Sequence, residues 1–419
     1  MRLFLFLAFL LFAGLPAQAQ EPVYNIENVT GDLYRFQSNN HYGVFLVTEE
    51  GIILADPINN ATATWLKGEL DARFGVPVKY VIYSHDHADH TSGGEVFEDT
   101  ATFVSHVYAK AKIKKSGHTP VPTKRFPQNY RIFLGGKIVD LFFYGASHSD
   151  NLITVHFPEE RAVFLVDVVA VKRLPYRNLG DYYFPSAIFY LEAVEEMDFD
   201  ILIPGHGPIG EKKDVTDHKN YLIELFNQVA NAYLTGLSLE ETKAKVNLEH
   251  YFHWGRYNEW AELNIEGMYR IISELKPTEF PKLSRYINPR YPKNASQARF
   301  VGWVILKFDL NEKGLAENIT VVDSDAESLN RGITENARAV RQFEKASIKA
   351  LTKTTYEPGQ TLAGLYRWDN FKLPPRPGDF DAFGIFDAVG DINAFNSELA
   401  FEDYLANGIG GRTAIGRGQ

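Results

Sequence analysis

The chain has 419 residues, of which 45% are hydrophobic and 23% are charged, and it contains no cysteine. This composition is typical of globular protein and excludes a wholly disordered chain, while the length allows two or more domains. The formal net charge of −10 does not indicate a nucleic-acid-binding surface, so we expect no nucleic-acid partner, and disulfide bonds are excluded.

The N-terminus combines one basic residue with a short apolar run. Arg2 precedes the run Leu3 to Leu15, which is followed by an Ala-x-Ala pattern that ends at Ala19. The run is shorter than the roughly 20 residues that a membrane-spanning helix needs. The pattern therefore predicts a signal peptide, residues 1–19, and a periplasmic or secreted protein. An uncleaved membrane anchor is the alternative.

The next elements lead to an unusual loop. Apolar alternation predicts strands within residues 33–57, a helix from Ala61 to Phe74, and a buried strand over residues 78–83. Asp56 lies at the end of the strand that precedes the helix. The strand over 78–83 runs directly into the sequence Ser84-His85-Asp86-His87-Ala88-Asp89-His90.

That loop carries three histidines and two aspartates within six residues. Imidazole nitrogens and carboxylates are ligands of zinc, and packing does not explain such a cluster. We therefore predict a metal-binding loop, with a solvated polar turn as the alternative. The pattern His-x-His-x-Asp-His after a strand resembles the metallo-β-lactamase superfamily.

The resemblance covers residues 23–275 and implies an αββα sandwich, placed here at residues 20–276, with the metals at one edge. Further ligands are then expected in the order histidine, bridging acid, histidine. The matching positions each follow an apolar strand, and they are His148, Asp167 and His206. The resemblance also implies that Asp56 supports the metal loop, although a simple strand-end turn is nearly as compatible with the sequence.

Carried over by position, His85, His87 and His148 would hold one metal. Asp89, His90 and His206 would hold the other, and Asp167 would bridge them. The resemblance implies two zinc ions, with iron or manganese also compatible with these donors. It implies hydrolysis of an ester, thioester, lactone, phosphodiester or amide-like bond in a small molecule by a metal-bridging hydroxide, with Asp89 in a catalytic role. A diiron redox enzyme on the same fold is an alternative.

Two further segments of this part carry charged or aromatic side chains. Residues 112–129 are predicted to be a basic loop. It either faces an anionic substrate or forms a solvated surface, and the second interpretation is preferred. Residues 172–184 hold several tyrosines and either overhang the site or pack in the core. The remaining histidines, including His41 and His106, receive no metal role.

The C-terminal part carries a second set of motifs. After a proline-containing linker from residue 277, the chain contains Tyr291-Pro292-x-x-Ala295, Gly302-Trp303-Val304, a turn at 311–314 and Tyr356-x-Pro358. In this order they resemble the C-terminal domain of TonB. The resemblance implies a small α+β domain within residues 277–372 that docks to an outer-membrane or envelope protein.

Residues 373–419 are predicted to be a weakly ordered tail. The alternative reading of the whole chain is a non-catalytic periplasmic interaction or transport protein of the TonB type.

Overall fold

The computed structural model describes residues 23–184, 186–274, 283–330, 336–359, 361–371 and 373. The predicted signal peptide and nearly all of the predicted tail lie outside these residues. Within the described ranges, no helix is long and apolar enough to span a membrane.

The first sheet follows the order of the chain. Within the described residues it has seven strands, which are β1 Tyr24–Thr30, β2 Leu33–Ser38, β3 His41–Thr48, β4 Gly51–Ala55, β5 Val78–Ile82, β6 Thr102–His106 and β7 Lys124–Phe126. Strands β1 to β4 pair as antiparallel neighbours, whereas β4 to β7 are parallel. Parallel strands require crossover connections. These contain the helices α1 Asn60–Arg73, α2 Ala88–Thr91 and α3 Val107–Ser116.

The second sheet has six strands in the described part of the chain, in the order β13-β12-β11-β10-β9-β8. They are β8 Asn129–Leu134, β9 Lys137–Phe142, β10 Thr154–Phe157, β11 Ala162–Leu165, β12 Ile201–Pro204 and β13 Gly210–Glu211. Strands β11 and β12 are parallel. The helices of this half are α4 Ser186–Glu195, α5 Lys212–Leu234, α6 Leu239–Lys245 and α7 Tyr257–Glu274.

The side chains of β3 show how the layers are arranged. Val44 and Leu46 pack into the core between the two sheets, where they join Phe164. Phe45 lies between them in sequence and packs on the opposite face with Leu66 of α1, as the alternation of a strand requires. Helix α5 packs against β12 and β13, with α4 and α7 beside it. The result is the expected αββα sandwich.

The strand directions place several loops at one edge. Strands β4 and β5 are parallel, and so are β11 and β12. The carboxyl ends of parallel neighbours lie at the same edge of a sheet, so the loops that follow them are neighbours. Asp56, the 84–90 loop, Asp167 and His206 directly follow these four strands.

The C-terminal domain is a small α+β unit. Its elements are β14 Leu283–Arg285, α8 Lys293–Gln297, β15 Phe300–Leu310, β16 Ala316–Ser328, α9 Ala337–Leu351, β17 Thr355–Tyr356 and β18 Leu362–Phe371. Strands β16, β15 and β18 form an antiparallel sheet with β15 in the centre. The linker prediction was wrong in one respect, because β14 lies within it and pairs with β17.

Strand β15 is buried on both faces, which explains its continuous apolar sequence. Val304 and Leu306 pack with Phe343 of α9 in the core of the small domain. Trp303 and Ile305, on the other face, belong to the core cluster of the large domain. The C-terminal domain is therefore packed against the sandwich through one face of its sheet.

The prediction of a basic loop over residues 112–129 was wrong at both ends of this range, although residues 117–123 do lie outside helices and strands. Helix α3 continues to Ser116, and β7 adds a parallel edge strand to β6. Arg125 forms a two-point ion pair with Asp323, and Lys124 lies 3.2 Å from Glu327. These two basic side chains contact the C-terminal domain, and they neither face a substrate nor form a freely solvated surface.

Candidate metal centre

A buried aspartate holds the start of the 84–90 loop. Asp56 accepts hydrogen bonds from the Ser84 backbone N–H at 2.8 Å and from Ser84 Oγ at 2.6 Å. Ser84 Oγ in turn lies 2.9 Å from His85 Nδ1. Because the hydroxyl proton is donated to Asp56, Nδ1–H of His85 donates to Oγ, and His85 Nε2 keeps its lone pair. Asp56 has the supporting contacts that the resemblance implied.

Three histidines and Asp167 form a first group of ligand atoms. His148 Nε2 lies 3.2 Å from His87 Nδ1 and 3.5 Å from Asp167 Oδ2. His85 Nε2 lies 3.7 Å from the same carboxylate oxygen. Ligands bound tetrahedrally to one zinc ion at about 2.1 Å are about 3.4 Å apart. The spacing of this group therefore fits one metal ion.

Asp167 also borders a second group. Its Oδ2 lies 3.1 Å from His90 Nε2, and its Oδ1 lies 3.2 Å from His206 Nε2. Asp89 Oδ2 lies 3.7 Å from His90 Nε2, and Asp89 groups with His206 and His41 within 4.8 Å. The carboxylate of Asp167 thus stands between two clusters of ligand atoms, which is the arrangement that a bridging ligand requires.

The donor atoms fit bound metal ions in a further respect. Within the described residues, His85 Nε2 is buried and makes no hydrogen bond. Leaving a buried polar group without a partner costs about 1–3 kcal/mol, and a cation bound to this nitrogen would offset that cost. Nitrogen and carboxylate donors suit zinc, and they also suit iron or manganese.

Hydrogen bonds hold the surrounding loops in place. His206 Nδ1 donates to the carbonyl oxygen of Asn40 at 2.8 Å, which leaves Nε2 with its lone pair directed elsewhere. Asn151 donates to both Asp86 and Asp150, at 2.5 Å and 2.7 Å. Lys112 lies 2.7 Å from Asp150. These contacts tie the loop of His148 to the 84–90 loop.

Comparison with known proteins agrees with this geometry. Residues 45–206 match the family model of the metallo-beta-lactamase superfamily. The chain carries a metallo-β-lactamase superfamily domain. Residues 287–363 match the model of the Gram-negative bacterial TonB protein C-terminal, so a TonB C-terminal domain follows it.

Two curated relatives match the metallo-β-lactamase domain. The 2,4-dinitroanisole O-demethylase subunit alpha of Nocardioides sp. is 25% identical over 197 residues, which are 46% of this chain and 60% of the relative. A metallo-beta-lactamase type 2 of Bacillus sp. is 24% identical over 176 residues, 41% of this chain and 68% of that protein. The chain thus spans less than two thirds of the demethylase subunit.

A solved metallo-beta-lactamase from Pontibacter korlensis is also similar. It is 18% identical and has a TM-score of 0.44, with 47% of this chain and 98% of that chain covered.

All seven residues predicted as ligands lie at this one edge of the metallo-β-lactamase domain. Their binding of metal stays a prediction. The sequence reasoning missed His41, which groups with Asp89 and His206. It begins strand β3, whereas the other ligand candidates follow strand ends, so position after a strand did not identify it. His41 reaches the site only because the 39–41 hairpin contacts the loop of His206. A local sequence pattern does not encode that contact.

Residues 172–184 both pack against the site and contribute to the core. Tyr182 is buried, and its ring lies edge-on to that of His148 with the centroids 6.0 Å apart. Its hydroxyl donates to the carbonyl oxygen of Asp167 at 3.2 Å. Tyr176, in contrast, is 55% exposed. One tyrosine of this segment therefore fixes the backbone of the central aspartate.

The charged groups of this cluster shift one another's pKa values. Burial alone would raise the pKa of Asp167, but His90 and His206 outweigh it and hold that pKa well below its usual value. Burial would lower the pKa of His90, but Asp167 and Asp56 raise it well above its usual value. For His85, burial and then the neighbouring histidines lower the pKa well below normal. A positive charge beside Asp167 is therefore favoured. A bound metal cation would supply that charge in place of the proton on His90.

Proposed function

We propose that this chain is an envelope-located metal-dependent hydrolase with two metal ions. One ion is held by His85, His87, His148 and Asp167, and the other by Asp89, His90, His206 and Asp167. Zinc is the default ion for these donors. Two ions bound here would supply an activated water at neutral pH and would polarise the bond that is cleaved.

The position of Asp167 carries this proposal. Its two carboxylate oxygens lie 3.1–3.7 Å from the ligand nitrogens of four histidines that come from three different loops. A structural ion pair needs one cationic partner, and four imidazoles around one largely buried carboxylate exceed that need. The alternative, a network that only stabilises the fold, leaves the buried His85 Nε2 without a hydrogen-bond partner.

The chain's own residues have distinct roles in this proposal. Asp89, whose side chain is 51% exposed, lies on the open side of the cluster. There it orients the attacking water and moves its proton to the leaving group. Asp56 and Ser84 fix the ring of His85, and Tyr182 fixes the backbone of Asp167. These contacts hold the ligands close to the geometry of the reaction.

The proposed substrate is a small molecule with a hydrolysable carbonyl or phosphoryl bond. The names of the relatives point to two further compounds for a test, a β-lactam and 2,4-dinitroanisole. We therefore select a panel of a lactone, a thioester, a phosphodiester, a β-lactam and 2,4-dinitroanisole. The panel is offered to full-length protein loaded with zinc, iron or manganese.

The decisive experiment combines metal analysis with this panel. Wild-type protein is expected to hold two metal ions per chain and to hydrolyse at least one compound, with the activity lost on chelation and restored by metal. Asp167→Asn keeps the side-chain size but removes the charge, and it is expected to lose at least one ion and the activity. Full activity in metal-stripped protein, or stoichiometric metal in Asp167→Asn, would contradict the proposal.

The export and docking roles are part of the same proposal. Residues 1–19 act as the signal peptide, and the TonB C-terminal domain docks the enzyme to an envelope protein. Cell fractionation with intact-mass measurement tests the first point, and the mass of exported protein is expected to correspond to a chain beginning at Gln20. Cross-linking in envelope fractions tests the second point. The control is a chain that ends before residue 283 and so has no TonB C-terminal domain. An exported chain that retains residues 1–19 would contradict the signal-peptide assignment, and equal cross-linking by both chains would contradict the docking assignment.

A further inference from the structure

A histidine outside the seven proposed ligands faces the second metal position. His41 Nε2 lies 3.4 Å from Asp89 Oδ2, and the His41 ring centroid lies 4.6 Å from that of His206 and 6.0 Å from that of His90. His41, Asp89 and His206 offer three ligand atoms within 4.8 Å of one another. The side chain of His41 is 34% exposed, so it lies at the open side of the centre.

The backbone on both sides of His41 is fixed to the loop of His206. His206 Nδ1 donates to the carbonyl oxygen of Asn40 at 2.8 Å, and Tyr42 N–H donates to the carbonyl oxygen of Gly205 at 2.9 Å. Asn39 has a φ of +53°, as a tight hairpin turn requires. These backbone contacts thus hold the main chain at His41 beside the second group.

The spacing of the atoms favours a shared ion over a direct hydrogen bond. A charge-assisted hydrogen bond between an imidazolium and a carboxylate is typically about 2.7–2.9 Å long, which is shorter than the 3.4 Å observed between His41 and Asp89. Two ligands of one metal at about 2.1 Å are about 3.0–3.4 Å apart, depending on the coordination geometry. The other atom pairs of the second group have similar separations, from 3.1 to 3.7 Å.

We propose that His41 Nε2 is an additional protein ligand of the second metal position. This inference rests on the proposed function, because it presupposes that Asp89, His90 and His206 bind an ion. With His41, that ion has five candidate protein donors in two overlapping groups that share His206. The ligand atoms of His41 and Asp89 lie within 4.8 Å of His206 and of each other, and so do those of His90 and Asp167. The first position has four, His85, His87, His148 and Asp167.

The two positions then differ in the ions that they accept. Four donors match the tetrahedral preference of zinc, whereas five donors with room for water or substrate make a five- or six-coordinate site. Imidazole and carboxylate donors in such a site also suit iron and manganese. His41 therefore biases the second position toward an ion of higher coordination number and leaves the first position unaffected.

The test uses Co²⁺ as the probe ion in metal-stripped full-length protein. The variant His41→Phe keeps a ring against His206 but has no ligand nitrogen, and His41→Gln is the second variant in case the first does not fold. His253→Ala, which removes an exposed histidine outside the ligand groups, is the matched control. Calorimetric titration gives the affinity of each equivalent, and visible absorption reports coordination number, since tetrahedral Co²⁺ absorbs more strongly than octahedral Co²⁺.

We expect His41→Phe to bind the first Co²⁺ normally and the second at least tenfold more weakly, with stronger visible absorption per bound second ion. His253→Ala should match wild type in both measurements. Unchanged second-site affinity and absorption in both His41 variants would overturn the inference while leaving the dinuclear hydrolase intact. A wild-type protein that takes up fewer than two ions would overturn the proposed function together with this inference.

Discussion

Arg125 and Asp323 join the two domains through a two-point ion pair. Arg125 Nε lies 2.8 Å from Asp323 Oδ2, and Arg125 Nη2 donates a second hydrogen bond to Asp323 Oδ1 at 3.1 Å. Both side chains are largely buried, at 14% and 15% exposed. Bidentate pairing fixes direction as well as distance. The pair therefore sets the orientation of the TonB C-terminal domain on the sandwich, where Trp303 supplies the apolar contact.

The first prediction concerns this ion pair. Removing one partner of a largely buried pair leaves the other charge without compensation, which costs roughly 3 kcal/mol. We expect Arg125→Ala and Asp323→Ala each to loosen the docking of the C-terminal domain, seen as faster hydrogen exchange in β7 and β16. The free energy lost in the double variant should be much smaller than the sum of the free energies lost in the two single variants.

The control is Arg161→Ala, which removes an exposed ion pair within the large domain and should leave β16 unchanged. Strictly additive losses for Arg125 and Asp323 would show that the two residues do not interact in solution.

The second prediction concerns Asp56, which accepts two hydrogen bonds from Ser84. Asp56→Ala leaves the Ser84 N–H and hydroxyl without their acceptor, and the His85 ring is no longer fixed. Supporting contacts of this kind typically change metal affinity by 10–100-fold, so we expect a loss in that range for the ion at the first position. Metal titration of purified protein measures it. Ser84→Ala removes one of the two bonds and should fall between wild type and Asp56→Ala; a wild-type affinity in Asp56→Ala would refute the role.

The sequence revealed some parts of this arrangement and not others. Asp167 and His206 each follow an apolar strand, and this position together with the resemblance to the metallo-β-lactamase superfamily led to their prediction. Arg125 was misread because its partner Asp323 lies 198 residues away, and no local pattern encodes a contact between domains. His41 was passed over because its place beside His206 depends on pairing between β3 and a loop of the other sheet. Local propensity predicts strand ends, whereas long-range packing decides which residues meet there.

The third prediction concerns acid stability and His106. Its Nε2–H donates to the carbonyl oxygen of Pro127, and its Nδ1 accepts from the Tyr108 N–H, so the ring must be neutral. Burial lowers the pKa of His106 from 6.5 to about 3. Between these values only the unfolded chain binds the proton, so the free energy of unfolding falls as the pH drops below 6.5, by up to about 1.4 kcal/mol per pH unit.

His106→Gln keeps a donor for Pro127 but does not titrate, so its free energy of unfolding should fall less steeply between pH 6 and pH 4 than that of wild type. Urea unfolding at a series of pH values measures the slopes. His253→Gln, at an exposed position, should retain the wild-type slope. Parallel curves for wild type and His106→Gln would show that His106 is protonated in the folded protein.

The fourth prediction concerns removal of the metal ions. A ligand that binds only the folded state at a concentration 1,000 times its dissociation constant stabilises it by about 4 kcal/mol. Chelation should therefore lower the melting temperature, and added zinc should restore it. In Asp167→Asn the effect of chelation should be much smaller, because the proposed central ligand loses its charge. An equal response of both proteins would place the stabilising ion elsewhere.

The fifth prediction concerns the contact between α7 and the segment that carries Tyr182. A Cβ at Gly267 would lie 1.9 Å from the carbonyl oxygen of Asn178, so Gly267→Ala must displace that backbone. Overpacking of this kind costs about 1–3 kcal/mol, and the displaced segment should also move Tyr182 away from Asp167 and lower the activity. Gly68→Ala is the matched control, since a Cβ there meets nothing within 4 Å and should be neutral or stabilising. Urea unfolding and turnover of the best panel substrate are measured on both variants. If Gly267→Ala were as stable as wild type, that result would contradict the close packing of α7 on residue 178.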